Sequence, residues 1–158
     1  MKIICVGRNY TAHINELENE RPEEPVVFIK PDSSVLPKQQ DFYIPEFSND
    51  VHYEVEVLVK IKKVGKHISK EFAPTYYDEI GLGIDFTARD LQSKLKEKGL
   101  PWEKAKGFDG AAYVSTFFML KKGDIIFTGT PAGVGKISPN DYLSGSLEDK
   151  ELFTLKIK

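Results

Sequence analysis

One cysteine and no surplus of charge are the first things this 158-residue chain shows. The cysteine, Cys5, sits inside the apolar opening Ile3-Ile4-Cys5-Val6. A single thiol excludes a disulfide framework and a cysteine-rich zinc cluster, and reads as a buried free thiol in a reducing compartment. A net charge of −2 and a pI near 6.0 give bulk charge no means of holding nucleic acid. No block of like charges forms a membrane-surface or RNA-binding arm. No apolar run is long enough to span a bilayer, and the opening stretch is too short for a signal peptide and ends on Arg8. Internal repeats and low-complexity segments are absent as well. What is left is a soluble globular chain, 41% apolar and 29% charged, expected to form one core and to reside in the cytoplasm without nucleic-acid or membrane partners.

The most informative stretch is Val51-His52-Tyr53-Glu54-Val55-Glu56-Val57, which has a strand's β-branched and aromatic composition. At period two, Val55, Val57, Val59 and Ile61 share one face, and Glu54 and Glu56 share the other with Leu58. Two carboxylates one repeat apart sit roughly 6–7 Å from each other and repel beside a core, and a divalent cation removes that repulsion. A lone Glu-x-Glu is more often a solvated face, so the metal reading needs support from elsewhere. Ile80 to Phe86 reads as a second strand, with Leu82, Ile84 and Phe86 on one face and Gly83 and Asp85 on the other. Thr87-Ala88-Arg89-Asp90 then has the form of a capping box opening a helix that ends at Gly99, which puts Asp85 at a strand-to-helix junction.

Near the start, Thr11 is a plausible helix cap, and His13 and Glu16 are spaced to share a helical face. A carboxylate beside an imidazole raises its basicity, the arrangement of a general-base dyad; an ordinary surface ion pair has the same spacing. Lys30 ends the apolar strand Val26–Ile29 and could reach an anionic ligand. Leu100 to Gly110 reads as irregular, and Leu152 to Ile157 as a closing strand. The glycine-rich loop Gly129-Thr130-Pro131-Ala132-Gly133-Val134-Gly135-Lys136 lacks the spacing of a P-loop and no helical pattern follows it, so nucleotide binding is rejected.

Six stretches in order, GRNYTAH with Glu16 following, FIKP, VHYEVEV, IDFTARDLQ, KGLPWEKAKGFD and KKGDIIFTGTPAGVG, resemble the fumarylacetoacetate hydrolase family, in its short single-domain acylpyruvate hydrolase and oxaloacetate decarboxylase branch. The resemblance implies an α+β, predominantly β fold: a mixed β-sheet roll with few short helices, usually as a homodimer. It implies Mg²⁺ or Mn²⁺ held by Glu54, Glu56 and Asp85. It further implies a small 2-oxo acid substrate, with Lys106 as an active-site lysine, Gln92 orienting the substrate, and His13 with Glu16 on a lid activating water. Arg8, Lys30, Arg89 and Thr130 fall among the stretches that would bind substrate or shape its pocket. The function expected on this basis is metal-dependent hydrolysis or decarboxylation of short 2-oxo acids. The alternatives are a 2-hydroxyhepta-2,4-diene-1,7-dioate isomerase of the same superfamily, or a non-catalytic metal- or ligand-binding relative.

The chain departs from that pattern in one place. Where the family carries some tens of residues more, including a hairpin built around Asn-Gly, Ala111-Ala112 runs straight into Tyr113-Val114-Ser115. Deleting strands from a closed sheet exposes edges and core. The single domain spanning 1–158 is therefore expected to join two segments across a gap near 112–113 rather than to carry a true deletion.

Overall fold

A computed structural model describes residues 1–10, 22–117, 125–130 and 133–158; His13 and Glu16, the expected dyad, lie outside them. Among the described residues the fold is built mostly of strands, with few short helices. The apolar opening forms β1 (Ile3–Gly7), which pairs antiparallel with β2 (Val26–Lys30) and parallel with β8 (Ile125–Phe127). Strand β4 (Val55–Ile61) lies between β8 and β5 (Tyr77–Asp85), antiparallel to both. With β7 (Ala112–Val114) on the far side of β5, the main sheet runs β2-β1-β8-β4-β5-β7. Strand β7 carries the chain across 112–113 in unbroken register with β5.

The stretch read as one strand from Val51 onward serves two sheets. Val51–Tyr53 is β3, which joins β6 (Thr87–Ala88) and β9 (Gly135–Lys136) in a three-stranded sheet, and the chain passes into the main sheet at Glu54. A hairpin of β10 (Tyr142–Leu147) and β11 (Lys150–Lys156) closes the fold. One core gathers Phe42, Ile84, Phe86, Phe153, Leu155 and Ile157, with Phe42 and Phe86 stacked at 3.8 Å; a second gathers Ile3, Cys5, Leu58, Ile125 and Phe127. Cys5 is a buried free thiol, its pKa pushed up chiefly by burial. No helix among the described residues is long and apolar enough to cross a membrane.

The alternation along β4 holds: Glu56 and Leu58, with Glu54 just before the strand, form a buried face, not a solvated one, while Val55, Val57, Val59 and Ile61 are half-buried. Two expectations are corrected. Thr87 does not cap the helix: it lies in β6, and α1 (Arg89–Glu97) starts without a side-chain cap from its N-cap residue, Ala88. Asp90 instead anchors that end, accepting hydrogen bonds from the Ser48 hydroxyl at 2.6 Å and the Leu91 amide at 2.9 Å. Tertiary pairing with β3 has overridden the local capping signal. The stretch read as irregular contains a one-turn helix, α2 (Glu103–Lys106), which delivers Lys106 into the interior.

Candidate functional site

The passage of the chain between sheets creates the site. Glu54 and Asp85 face each other with both backbone hydrogen bonds made, at 3.1 and 2.8 Å, which sends their side chains to the same face. Glu56 follows one repeat along, opposite Gly83, so the side chain that would compete for that space is missing. The result is three buried carboxylates, each offering an oxygen within 4.8 Å of the others. Among the described residues this is the group of acidic, histidine or cysteine side chains that converges tightly enough to hold an ion.

Cations surround it. The Lys106 ammonium, nearly inaccessible, donates to Glu54 Oε2 at 2.9 Å, Asp85 Oδ2 at 2.8 Å and Thr87 Oγ1 at 2.6 Å. Arg89, at the head of α1, donates to Glu54 Oε1 and, through Nη1, to Gln92 Oε1 at 2.5 Å. Lys30 is fully buried, 2.8 Å from Asp85 Oδ1, and its ammonium donates to the backbone carbonyls of Lys106 and Ala111. It therefore braces the wall of the site from behind. Thr130 is also buried, with its hydroxyl donating to the Val55 carbonyl at 2.5 Å, so it ties a loop to β4. Arg8 is half-buried at a left-handed backbone position, φ 52°.

Glu54 and Glu56 differ in how readily they ionise. Burial opposes the charge on Glu54, but Lys106 and Arg89 outweigh it and hold its carboxyl down to about 2. Glu56 goes the other way: burial, reinforced by Asp85 and Glu54, raises its pKa well above the ordinary carboxyl value despite Lys106 and a hydrogen bond from Gly129. For Lys106, burial disfavours the ammonium, but Asp85 and Glu54 more than compensate and raise its pKa above the usual lysine value. The donor set is three hard carboxylate oxygens, so a small divalent cation fits: its positive charge offsets the burial and the mutual repulsion that disfavour the charged form of Glu56.

The sequence reading named Glu54, Glu56, Asp85, Lys106, Arg89 and Gln92, and the fold brings these six together. It did not find Thr87, an acceptor for Lys106, nor Gly129, whose amide donates to Glu56 Oε2 at 3.1 Å. A glycine at positive φ (+100°) in a loop after a strand was the available signal for the latter.

Known proteins resemble this chain along most of its length. The sequence model of the fumarylacetoacetate (FAA) hydrolase C-terminal family matches residues 2–114 and 111–157. The chain is 33% identical to oxaloacetate tautomerase YcgM of Escherichia coli over 199 residues, covering 97% of this chain and 91% of the relative. That alignment is longer than the chain itself, so the relative has positions with no counterpart here. The mitochondrial oxaloacetate decarboxylase of Dictyostelium discoideum is 34% identical, covering 90% and 86%. Fumarylpyruvate hydrolase from Pseudomonas aeruginosa, solved in complex with Mn²⁺ and pyruvate, superposes with a TM-score of 0.90 at 28% identity, covering 99% of this chain and 89% of that one.

Proposed function

The chain belongs to the fumarylacetoacetate hydrolase family, and from that premise we propose that it is a divalent-metal-dependent enzyme of short 2-oxo acids, with oxaloacetate the first substrate to try and acylpyruvates the second. The observation that carries this reading is the convergence of Glu54, Glu56 and Asp85, buried and within 4.8 Å of one another. Tautomerisation, decarboxylation and carbon–carbon hydrolysis, the activities for which the relatives are named, share one difficulty: negative charge develops on an enolate beside the 2-oxo acid. Mg²⁺ or Mn²⁺ held by the three carboxylates would supply the positive charge that stabilises it.

The chain's own residues do the rest. Lys106, fixed by three oxygen acceptors, holds Glu54 and Asp85 in a single geometry and keeps a positive charge at the site. Arg89 and Gln92 form a coupled pair at the head of α1, where a guanidinium can meet a substrate carboxylate and an amide can orient a carbonyl. Hydrolysis requires in addition a base that takes a proton from water, a role for which the sequence offers His13 with Glu16 three residues on. We propose further that the chain acts as a homodimer, and light scattering on the purified protein checks that state.

The decisive experiment follows absorbance changes of oxaloacetate, acetylpyruvate and a 2-hydroxydienedioate with Mn²⁺ or Mg²⁺, and again with chelator. Turnover of a 2-oxo acid that chelator abolishes supports the reading, and Glu56→Gln should remove it. Turnover of the dienedioate alone would replace it with the isomerase, and no turnover combined with no metal binding would overturn it.

A further inference from the structure

We propose that Asn9 is a positioning residue for Glu56, acting through a single peptide unit, Thr128–Gly129; the inference deepens the metal-site reading above and rests on it. The carboxylates are held by different kinds of partner. Glu54 and Asp85 meet charged groups: Lys106 and Arg89 for the first, Lys106 and Lys30 for the second. Glu56 Oε2 instead accepts a neutral backbone N–H, that of Gly129 at 3.1 Å. The direction of that N–H is fixed by its peptide plane, and the plane is gripped on every side.

Thr128 and Thr130 flank the glycine, and their hydroxyls donate to the carbonyls of Val57 at 2.7 Å and Val55 at 2.5 Å, the residues on either side of Glu56. The tripeptide therefore straddles Glu56 like a staple. Gly129 takes φ +100°, and a Cβ there would fall 3.0 Å from both the Asn9 Cβ and the Val6 carbonyl oxygen, so a side chain would push the amide off its aim. The third hold is the Asn9 side-chain amide, which donates to the Thr128 carbonyl. That carbonyl and the Gly129 N–H belong to the same peptide unit. Asn9 thus fixes the oxygen end of the plane whose hydrogen end points at Glu56. A hydrogen bond accepted at the carbonyl also polarises the unit and makes its N–H a stronger donor. An outer partner that orients a ligating carboxylate in this way commonly changes metal affinity by a factor of ten or more when it is removed.

Asn9 is exposed, so its replacement leaves the core untouched. Asn9→Asp keeps the shape and loses the donor; Asn9→Ala loses both. Mn²⁺ titration of wild-type and variant chains, reading free Mn²⁺ by its paramagnetic signal, should show about tenfold weaker binding in both variants. The metal-free unfolding midpoint should stay within a degree or two, and turnover of a 2-oxo acid should be recovered as Mn²⁺ is raised. Such a split, in metal affinity but not in metal-free stability, is one that a merely structural asparagine would not give. Variants that bind Mn²⁺ within twofold of wild type overturn the proposal while leaving the metal site standing. A wild-type chain that fails to bind Mn²⁺ overturns the metal reading, and this proposal with it.

Discussion

Strands β4 and β5 bury acid at both ends of one ladder, and the two ends handle it differently. At one end Lys60 lies directly across from Glu79, which is 1% exposed, and the ammonium sits 3.3 Å from the carboxylate. Here an ammonium and a carboxylate face each other directly. At the other end Glu54, Glu56 and Asp85 crowd together, with Lys30, Lys106 and Arg89 distributed around them and Glu56 left to a backbone amide. Both ends satisfy the requirement that buried charge be paired. Only the second leaves a buried carboxyl, Glu56, with no cationic side chain among the described residues hydrogen-bonded to it and with its charge disfavoured by burial and by Asp85 and Glu54, so that a bound cation would complete it. That difference separates a structural ion pair from a site.

The comparison breaks most visibly at the lysines. Lys106→Met strips Glu54 and Asp85 of their shared ammonium and should cost the metal-free protein about 3–5 kcal/mol, because it leaves buried carboxylates uncompensated. Turnover should fall by roughly a hundredfold or more. Mn²⁺ should restore part of the lost stability. Lys60→Met, at a position with the side chain 21% exposed, should cost about 1–3 kcal/mol, leave turnover unchanged and show no rescue by metal. Thermal unfolding with and without Mn²⁺, alongside an activity assay, measures both. Equal rescue of the two variants would erase the distinction.

The acids come next. Burial and the neighbouring Asp85 and Glu54 raise the Glu56 pKa and so disfavour its charge, and Glu56→Gln, which keeps the shape and cannot ionise, should change metal-free stability by less than about 1 kcal/mol while abolishing metal binding. Glu79→Gln removes a charge that Lys60 relies on and should show the opposite pattern: a modest loss of stability, about 1–2 kcal/mol, with metal binding intact. Chemical denaturation and a Mn²⁺ titration on each variant separate the outcomes.

How much of this was legible in the sequence depends on whether a side chain's role is set by its own strand or by a distant one. Glu54, Glu56 and Asp85 could be found because period two places them, and the neighbouring glycine at 83 marks cleared space. Which face was buried could not be read from the strand alone, because the carboxylate face is covered by groups that come from far along the chain, such as Lys106 and the Gly129 amide. Lys30 ended an apolar strand as a ligand-contacting residue would, yet its acceptors are carbonyls at positions 106 and 111, a pairing no local pattern encodes. Thr87 carried a capping signal that β3 overrode. The loop at Gly129 was weighed as a phosphate cradle and set aside, and its contact with Glu56 spans 73 residues. Lys106 and Gln92 were named on family resemblance, since nothing in their own segments marks them.

Titration should show the same contrast, with a smaller amplitude. The folded pKa of Glu54 is depressed to about 2, so its stabilising contribution is present above the ordinary carboxyl value near 4.5 and is lost as pH falls toward 2. Glu56 is raised, so its contribution is present below 4.5 and is lost as pH rises through its folded value. The metal-free protein should therefore gain stability from these two groups in mildly acidic solution and lose some of it toward alkaline pH. A cation needs Glu56 as the carboxylate, so the rise in unfolding temperature on adding Mn²⁺ should be larger at pH 8 than at pH 5. A pH-independent rise would mean that Glu56 is not among the ligands.

The finest spatial test concerns the glycines that leave room on β5. A Cβ at Gly83, opposite Glu56, would fall 2.8 Å from Leu58 and Phe127 side-chain atoms, closer than core packing tolerates without movement. Gly83→Ala should therefore cost about 1–3 kcal/mol, and because Leu58 and Glu56 share a face, the displaced leucine should also weaken Mn²⁺ binding. A Cβ at Gly81 would meet Phe117 at 3.1 Å and the Ser115 hydroxyl at 3.2 Å, contacts that a small ring shift relieves. Gly81→Ala should cost about 1 kcal/mol or less, with metal affinity unchanged. The two substitutions add the same methyl group two residues apart on one strand face. A loss of Mn²⁺ affinity in the first and not the second would locate the metal-sensitive part of the ladder within a single strand repeat, whereas equal losses would mean that β5 transmits strain along its length and that the two ends are not independent.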